Sequence, residues 1–142
     1  MFSKAFGYAV RAVTYIAIHG SGGHKIGLLE LSESLEVPHH FLGKIMQDLV
    51  RHGIVDSTKG PNGGFYANDS TLSTVLTDIL KITDGSLVFE QCALGLHRCN
   101  ASRPCLVHHD FASCKNAMIS VLASRTIASL TEKVLSEQVF FK

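Results

Sequence analysis

The sequence has no excess of charge: 13 Lys and Arg against 12 Asp and Glu leave a formal net charge of +1 over 142 residues. A strongly basic balance, the footprint of many nucleic-acid binders, is missing, so any contact with nucleic acid must come from a local patch. Acids are absent before Glu30, whereas Lys4, Arg11 and Lys25 precede it, which makes the start mildly basic. A long uninterrupted apolar run is lacking as well. The stretch from Ala5 to Ile18 is broken by Arg11 and has no small-residue cleavage site, which excludes a signal peptide and a membrane span. A cytoplasmic protein without membrane contact is expected. There is no internal repeat, no low-complexity tract and no paired nucleophile and base, so the chain does not read as an enzyme.

What is present is helical periodicity. At this length one ordinary core, or a small domain with an appended helical segment, is expected. Phe2, Phe6, Val10, Val13 and Ala17 recur at helical spacing until the breaker Gly20-Ser21-Gly22-Gly23. Leu28, Leu31 and Leu35 mark a short second helix ending near Val37 and Pro38. Leu42, Ile45, Met46 and Leu49 mark a third, from His39 to His52, closed by Gly53. Two short helices joined by a tight turn predict a helix-turn-helix. The β-capable run Ile54 to Lys59 and the segment Phe65-Tyr66-Ala67 flank Gly60-Pro61-Asn62-Gly63-Gly64, which predicts a β-hairpin with positive φ at Asn62 and Gly63. Leu72, Val75, Leu76, Ile79 and Ile82 predict a fourth helix capped by Asp84 and Gly85. After the aperiodic stretch Ser86 to Arg103, Pro104 is suited to open a new helix with Ser102 as its cap and Phe111, Met118, Val121 and Leu122 as its apolar stripe. Thr126 opens a last helix carrying Ile127, Leu130 and Val134. The expected fold is mainly α with a small β-hairpin wing, in three parts: a winged helix-turn-helix over 1–85, a cysteine-bearing loop over 86–103, and a helical segment over 104–142.

A helix-turn-helix sets its second helix in the major groove, with residues near that helix's N-terminus at the base edges. Those residues are His39, His40, Phe41, Gly43 and Lys44. Lys44, Arg51 and Lys59 can meet phosphates, and the tip with Pro61, Asn62 and Gly63 is small enough to approach the backbone or enter a minor groove. Two exposed histidines at a helix start are equally ordinary without DNA. Gly43 costs about 1 kcal/mol relative to Ala in a helix, so it marks a close approach, to DNA or to the first helix.

Three of the four cysteines lie outside the periodic segments. Cys92, Cys99, Cys105 and His108 fall within seventeen residues, and thiolate and imidazole are the ligands of soft or borderline metals and of iron-sulfur clusters. In a reducing compartment such cysteines bind metal, act in redox chemistry or are buried, rather than pairing as disulfides. If Pro104 begins a helix, Cys105 sits in its first turn, where the macrodipole favours a thiolate, with His108 three residues on along the same face. His109 is an alternative ligand. Cys114 falls near the opposite face of that helix and is expected to be a small buried residue. Structural zinc, a thiol switch and inert cysteines compete with an iron-sulfur cluster; zinc sites usually carry cysteine pairs two to four residues apart, and the gaps here are six and five.

Gly7-Tyr8-Ala9-Val10-Arg11-Ala12, the wing Lys59-Gly60-Pro61-Asn62-Gly63-Gly64-Phe65, and three cysteines before a long helix resemble the IscR/NsrR/CymR family of bacterial winged-helix transcription regulators. The likeness spans nearly the whole chain, and the wing followed by the cysteine loop is its most specific element. It implies a homodimer joined through the long helix after the cysteines, two wings embracing a pseudo-palindromic double-stranded DNA operator, and a repressor controlled by an iron-sulfur cluster that senses redox state, nitric oxide or iron-sulfur status. In the nitric-oxide-sensing branch a carboxylate from the partner's first helix completes a four-iron cluster, and this chain has no acid there. The Cys105 to His108 spacing matches the Cys3His set of the two-iron branch, so 2Fe-2S is preferred over 4Fe-4S, with loss of the cluster expected in an aerobic sample. Departing from that branch is the longer gap between Cys92 and Cys99. The rivals are a zinc-binding or thiol-switch regulator without a cluster, and an iron-sulfur electron-transfer protein, in which the wing would have no purpose.

Overall fold

The computed structural model describes residues 2–20 and 23–137. Ser21 and Gly22 of the expected breaker, and positions 138–142 of the last expected segment, lie outside the described residues. Helix α1 spans Lys4–His19, and Ser3 caps it by accepting the Phe6 amide at 3.1 Å. Phe6, Ala9, Val13 and Ile16 recur on one side of α1 and are buried. Helix α2 (Leu28–Leu35) and helix α3 (His39–Arg51) form the helix-turn-helix. The turn between them is locked by Ser32, whose buried hydroxyl donates to the Val37 carbonyl at 2.9 Å while its own carbonyl accepts the Val37 amide at 3.0 Å. At Glu36 the chain passes through the left-handed region at φ 54°, a conformation that costs an ordinary side chain free energy. Leu42, Ile45, Met46 and Leu49 turn one face of α3 into the core.

Strands β1 (Asp56–Thr58) and β2 (Gly64–Tyr66) pair antiparallel with Ser57 opposite Phe65. The wing is anchored on the other side by Ile26, which exchanges two 2.8 Å backbone hydrogen bonds with Phe65. The expected conformations at the tip are redistributed: positive φ falls at Gly60 (106°) and Gly64 (147°), not at Asn62 and Gly63. The Gly63 amide closes onto the Gly60 carbonyl at 2.9 Å, a turn in which Pro61 takes the second position that its fixed φ suits. Space explains the last two glycines. A Cβ on Gly63 would come within 2.3 Å of the Thr58 carbonyl oxygen, and one on Gly64 within 2.8 Å of that of Ile26.

Helix α4 spans Leu76–Asp84, four residues shorter at its start than the periodicity predicts. Side chains claim that turn: Ser73 and Thr74 donate to the Ser70 carbonyl, and Thr71 donates to the Ile54 carbonyl. The backbone of 72–76 then pairs with 125–128 through Leu76 to Arg125, Ile127 to Thr74 and Ala128 to Leu72. Gly85, at φ 83°, closes α4 as expected. The Asp84 carboxylate accepts the Ser3 amide at 2.8 Å and the Ser3 hydroxyl, tying the end of α4 to the start of α1.

A 3-10 turn over Ser86–Phe89 leads into the cysteine loop, and helix α5 spans His108–Ser124. Helix α6 (Ile127–Glu137) opens with a reciprocal cap between Thr126 and Ser129 and returns to pack on α1. The expected start of α5 at Pro104 is corrected to His108, so Cys105 precedes the helix. Asn100 causes the shift: its side-chain oxygen accepts the Ser102 and Arg103 amides and the Ser102 hydroxyl, holding a turn that takes Ser102 away from a capping role. Only Leu122 of α5 is buried.

Candidate metal centre and nucleic-acid interface

The turns of residues 90–108 bring three sulfurs together: the Sγ atoms of Cys92, Cys99 and Cys105 all lie within 4.8 Å of one another. Cys92 and Cys105 are 3.8 Å apart, and Nδ1 of His108 sits 3.1 Å from Cys99 Sγ. All four residues are half-buried. His109 packs edge-on against His108, its ring centroid 5.3 Å away, and is exposed. The amides of Leu96 and then Leu94 lean on the Cys92 sulfur and, against the opposing effect of burial, bring its thiol down to about 7. At Cys99 the Cys105 amide draws the thiol down, but burial and the neighbouring thiols of Cys105 and Cys92 outweigh it and leave the value raised. Two thiols in contact with opposite shifts form a site that resists carrying several negative charges unless a cation shares it.

The donor set fits a soft metal or cluster: three thiol sulfurs, one imidazole nitrogen beside them, and amides directed at sulfur. Lys115 on α5 donates to the Gln91 carbonyl at 2.7 Å and pins the loop beside Cys92 to the helix. Sequence reading missed this contact, since nothing in the spacing of a lone lysine on a helix announces it. It could have found Asn100, because Asn followed two residues later by Ser is a turn signal.

Cys114, expected to be buried, is exposed. It shares one side of α5 with Phe111, Met118 and Val121, at steps of three and four residues, and Phe111 and Val121 are also exposed.

The outer side of α3 carries His40, Lys44, Gln47 and Arg51, all exposed. His39 and Phe41 are exposed beside them, as are Lys59, Pro61 and Asn62 at the wing tip, while Gly63 is half-buried. Arg51 pairs with Asp48 at 2.9 Å. Gln47 had been overlooked, although it follows His40 and Lys44 at helical spacing. Gly43 approaches α2 rather than the first helix, with Leu28 Cδ2 3.3 Å from where its Cβ would stand. No helix among the described residues is long and apolar enough to cross a membrane.

Comparison with known proteins accords with this arrangement. The family model Rrf2, described as an iron-dependent transcriptional regulator, matches residues 2–133. An HTH-type protein of Aquifex aeolicus (strain VF5) is 31% identical over 132 residues, 92% of this chain and 90% of that protein. The HTH-type transcriptional regulator IscR of Photorhabdus laumondii is 26% identical over 132 residues, covering 93% and 77% of the two chains. Among solved structures, T. potens IscR matches with a TM-score of 0.75 over 99% of this chain and 92% of its own at 20% identity. CymR, the global cysteine regulator of B. subtilis, matches with a TM-score of 0.74 over 93% and 96% at 17% identity. These structures share the fold. With a family match running through the reading head, the cysteine loop and both C-terminal helices, the chain belongs to the Rrf2 family of winged-helix, DNA-binding transcriptional regulators, which are not enzymes.

Proposed function

We propose that the protein is a homodimeric repressor whose affinity for a pseudo-palindromic operator is set by a metal group held by Cys92, Cys99, Cys105 and His108. The observation that carries this is the convergence of three sulfurs within 4.8 Å on the loop joining the winged head to α5. An iron-sulfur cluster, 2Fe-2S before 4Fe-4S, is the preferred occupant, supported by the iron-dependent description of the family and by the IscR relatives. When bound, such a cluster supplies a centre sensitive to redox state, nitric oxide or iron-sulfur supply. The chain's own residues do the rest. The four ligands fold the loop onto the start of α5, Lys115 fixes it to that helix, and Phe111, Cys114, Met118 and Val121 offer an apolar seam to a second copy. The seam sets the separation of two α3 helices, and half-sites one turn apart need about 34 to 36 Å. His39, His40, Phe41, Lys44, Arg51, Lys59, Pro61, Asn62 and Gly63 make up the DNA face. A change in loop order then alters operator affinity only as far as the two arrangements differ in stability.

Zinc is the second reading, and compactness favours it: a tetrahedron with ~2.3 Å Zn–S bonds has edges of about 3.8 Å, and with all three sulfurs within 4.8 Å of one another a single ion can reach them all. Anaerobic purification with absorption spectroscopy and iron, sulfide and zinc analysis separates the two. Coloured protein with matched iron and sulfide supports the cluster; colourless protein with stoichiometric zinc supports the second reading; no metal after anaerobic reconstitution sinks both. Salt-dependent, sequence-preferring binding to DNA upstream of its own gene, differing between metal-loaded and metal-free protein, is the functional readout, and its absence would remove the operator from the proposal.

A further inference from the structure

The first turn of α3 contains one residue that does not suit a polar face. Phe41 stands 37% exposed among His39, His40 and Lys44, with no acid in that turn. Its ring is held rather than loose. Tyr8 of α1 meets it edge-on, with centroids 5.8 Å apart and planes at 86°. Tyr8 is held in turn by Arg11, whose guanidinium lies 5.6 Å from the Tyr8 centroid and donates to the Leu35 carbonyl at the end of α2. An apolar ring is thus fixed by two neighbouring helices and left partly bare on the side of the molecule that carries the cationic reading residues.

We infer that Phe41 reads thymine in each operator half-site by contact with its 5-methyl group, an inference that rests on the operator reading above. Elimination gives the ligand. Stacked bases in a duplex expose only their edges, and Phe offers neither donor nor acceptor. The thymine methyl is the apolar group of the major-groove edge, and Phe is among the residues suited to it. The neighbouring His39 and His40 can donate to phosphates on either side of such a contact. Because Tyr8 and Arg11 already fix the ring, little side-chain freedom is lost on binding. Lys44 and Gln47, farther along the same helix, offer polar contacts of the kind that read guanine and adenine, so the thymine contact adds information they do not carry.

Uracil in place of thymine removes the methyl and nothing else, which makes the test independent of protein folding. An operator is selected from random duplex DNA with the whole wild-type protein, each thymine is replaced singly by uracil, and affinity is measured by fluorescence anisotropy at one fixed salt concentration. At one thymine in each half-site the wild type should lose affinity by about fourfold, the worth of one buried methyl. Phe41→Ala should bind thymine and uracil versions of that site equally; Phe41→His, which keeps a ring against Tyr8 but presents polar edges, serves if Phe41→Ala does not fold. Sequence-preferring binding that tolerates uracil everywhere would overturn the thymine contact alone, as would uracil sensitivity that survives in Phe41→Ala. Absence of any sequence preference would overturn the operator reading and the thymine contact with it.

Discussion

The winged head and the cysteine region are held by different means. Of the twenty buried apolar residues that form the core, eighteen lie between Phe6 and Leu80, and none falls between Lys81 and Val121. The head, with Leu122 and Ile127 added from the C-terminal helices, forms that core, and α1 to α4 bury Leu31, Leu35, Leu42, Met46, Leu49 and Ile79 completely. After Val88 and Phe89, which still pack against the core, the stretch from Glu90 to Val107 instead exposes Leu94, Leu96 and Leu106 and turns inward chiefly at its sulfurs. Apolar burial is the main source of folding free energy, so the loop has little of the ordinary source of order, and on the reading proposed above the bound metal group supplies the rest. On that reading the loop changes its order with its ligand, while the head keeps its shape.

The sharpest way to break this contrast is to remove one sulfur. Cys99→Ala, like Cys92→Ala and Cys105→Ala, is expected to abolish metal binding and with it the amide-exchange protection of residues 90–107, leaving α1 to α4 protected as before. Cys114→Ala keeps the metal. Metal stoichiometry and hydrogen exchange measure both halves, and protection of the loop in metal-free protein would show that it orders itself.

A core substitution tests the other side. Leu49 is wholly buried, and Leu49→Ala should cost roughly 2–5 kcal/mol in urea unfolding. Phe111 on α5 is 49% exposed, so Phe111→Ala should cost under about 1 kcal/mol in dilute monomer. Its larger effect is expected on self-association, read by sedimentation. Equal losses of stability from the two substitutions would mean that Phe111, like Leu122 on the same helix, packs into the head's core.

The head was legible in the sequence for the same reason that it supplies nearly all of the core. Its helices announce themselves by apolar spacing and its wing by glycines that the backbone has room for nowhere else, as Gly63 and Gly64 show. The cysteine region was legible only as chemistry. Its ligand types could be read, but Cys105 was placed inside a helix because the side-chain turn built by Asn100 overrides the start signal of Pro104. The burial expected of Cys114 came from reckoning its face against Cys105 as though both lay on one helix. An apolar stripe on α5 also reads alike whether it faces the chain's own core or a second copy, and in the single chain it is exposed. The start of α4 was misplaced because hydroxyl groups at Thr71, Ser73 and Thr74 bond to backbone carbonyls there, a competition that apolar periodicity does not register.

Asp84 stands where the head gives way to the cysteine region, ending α4 and tying that end to Ser3, the cap of α1. Burial alone would raise its pKa; hydrogen bonds from the Ser3 hydroxyl and amide and from Thr83 outweigh that and hold it below the usual 3.8. The depressed value means that the carboxylate stabilises the fold above pH 3.8 and that this contribution is lost as pH falls through the folded value. Asp84→Asn should therefore cost about 1 kcal/mol near neutral pH, with the difference from wild type closing in acid. A difference that does not change with pH would show that the capping contact works without its charge.

The smallest expected effect lies within the head, at the one described residue other than glycine with positive φ. Glu36 adopts φ 54° where α2 ends, and its amide points back to the carbonyls of Glu33 and Ser32. Its side chain is exposed and makes no hydrogen bond among the described residues that a glycine would forfeit. Glycine reaches this conformation without steric cost, although it brings more conformational freedom to the unfolded chain. The steric gain should prevail, and Glu36→Gly is expected to stabilise the head by about 0.5–1 kcal/mol in urea unfolding. The turn it eases also fixes the angle between α2 and α3, so operator affinity should stay within about twofold of wild type if that angle is set by Ser32, Val37 and the buried leucines. A stabilised head with much weaker operator binding would instead locate part of the control of the reading helix in the strain at Glu36.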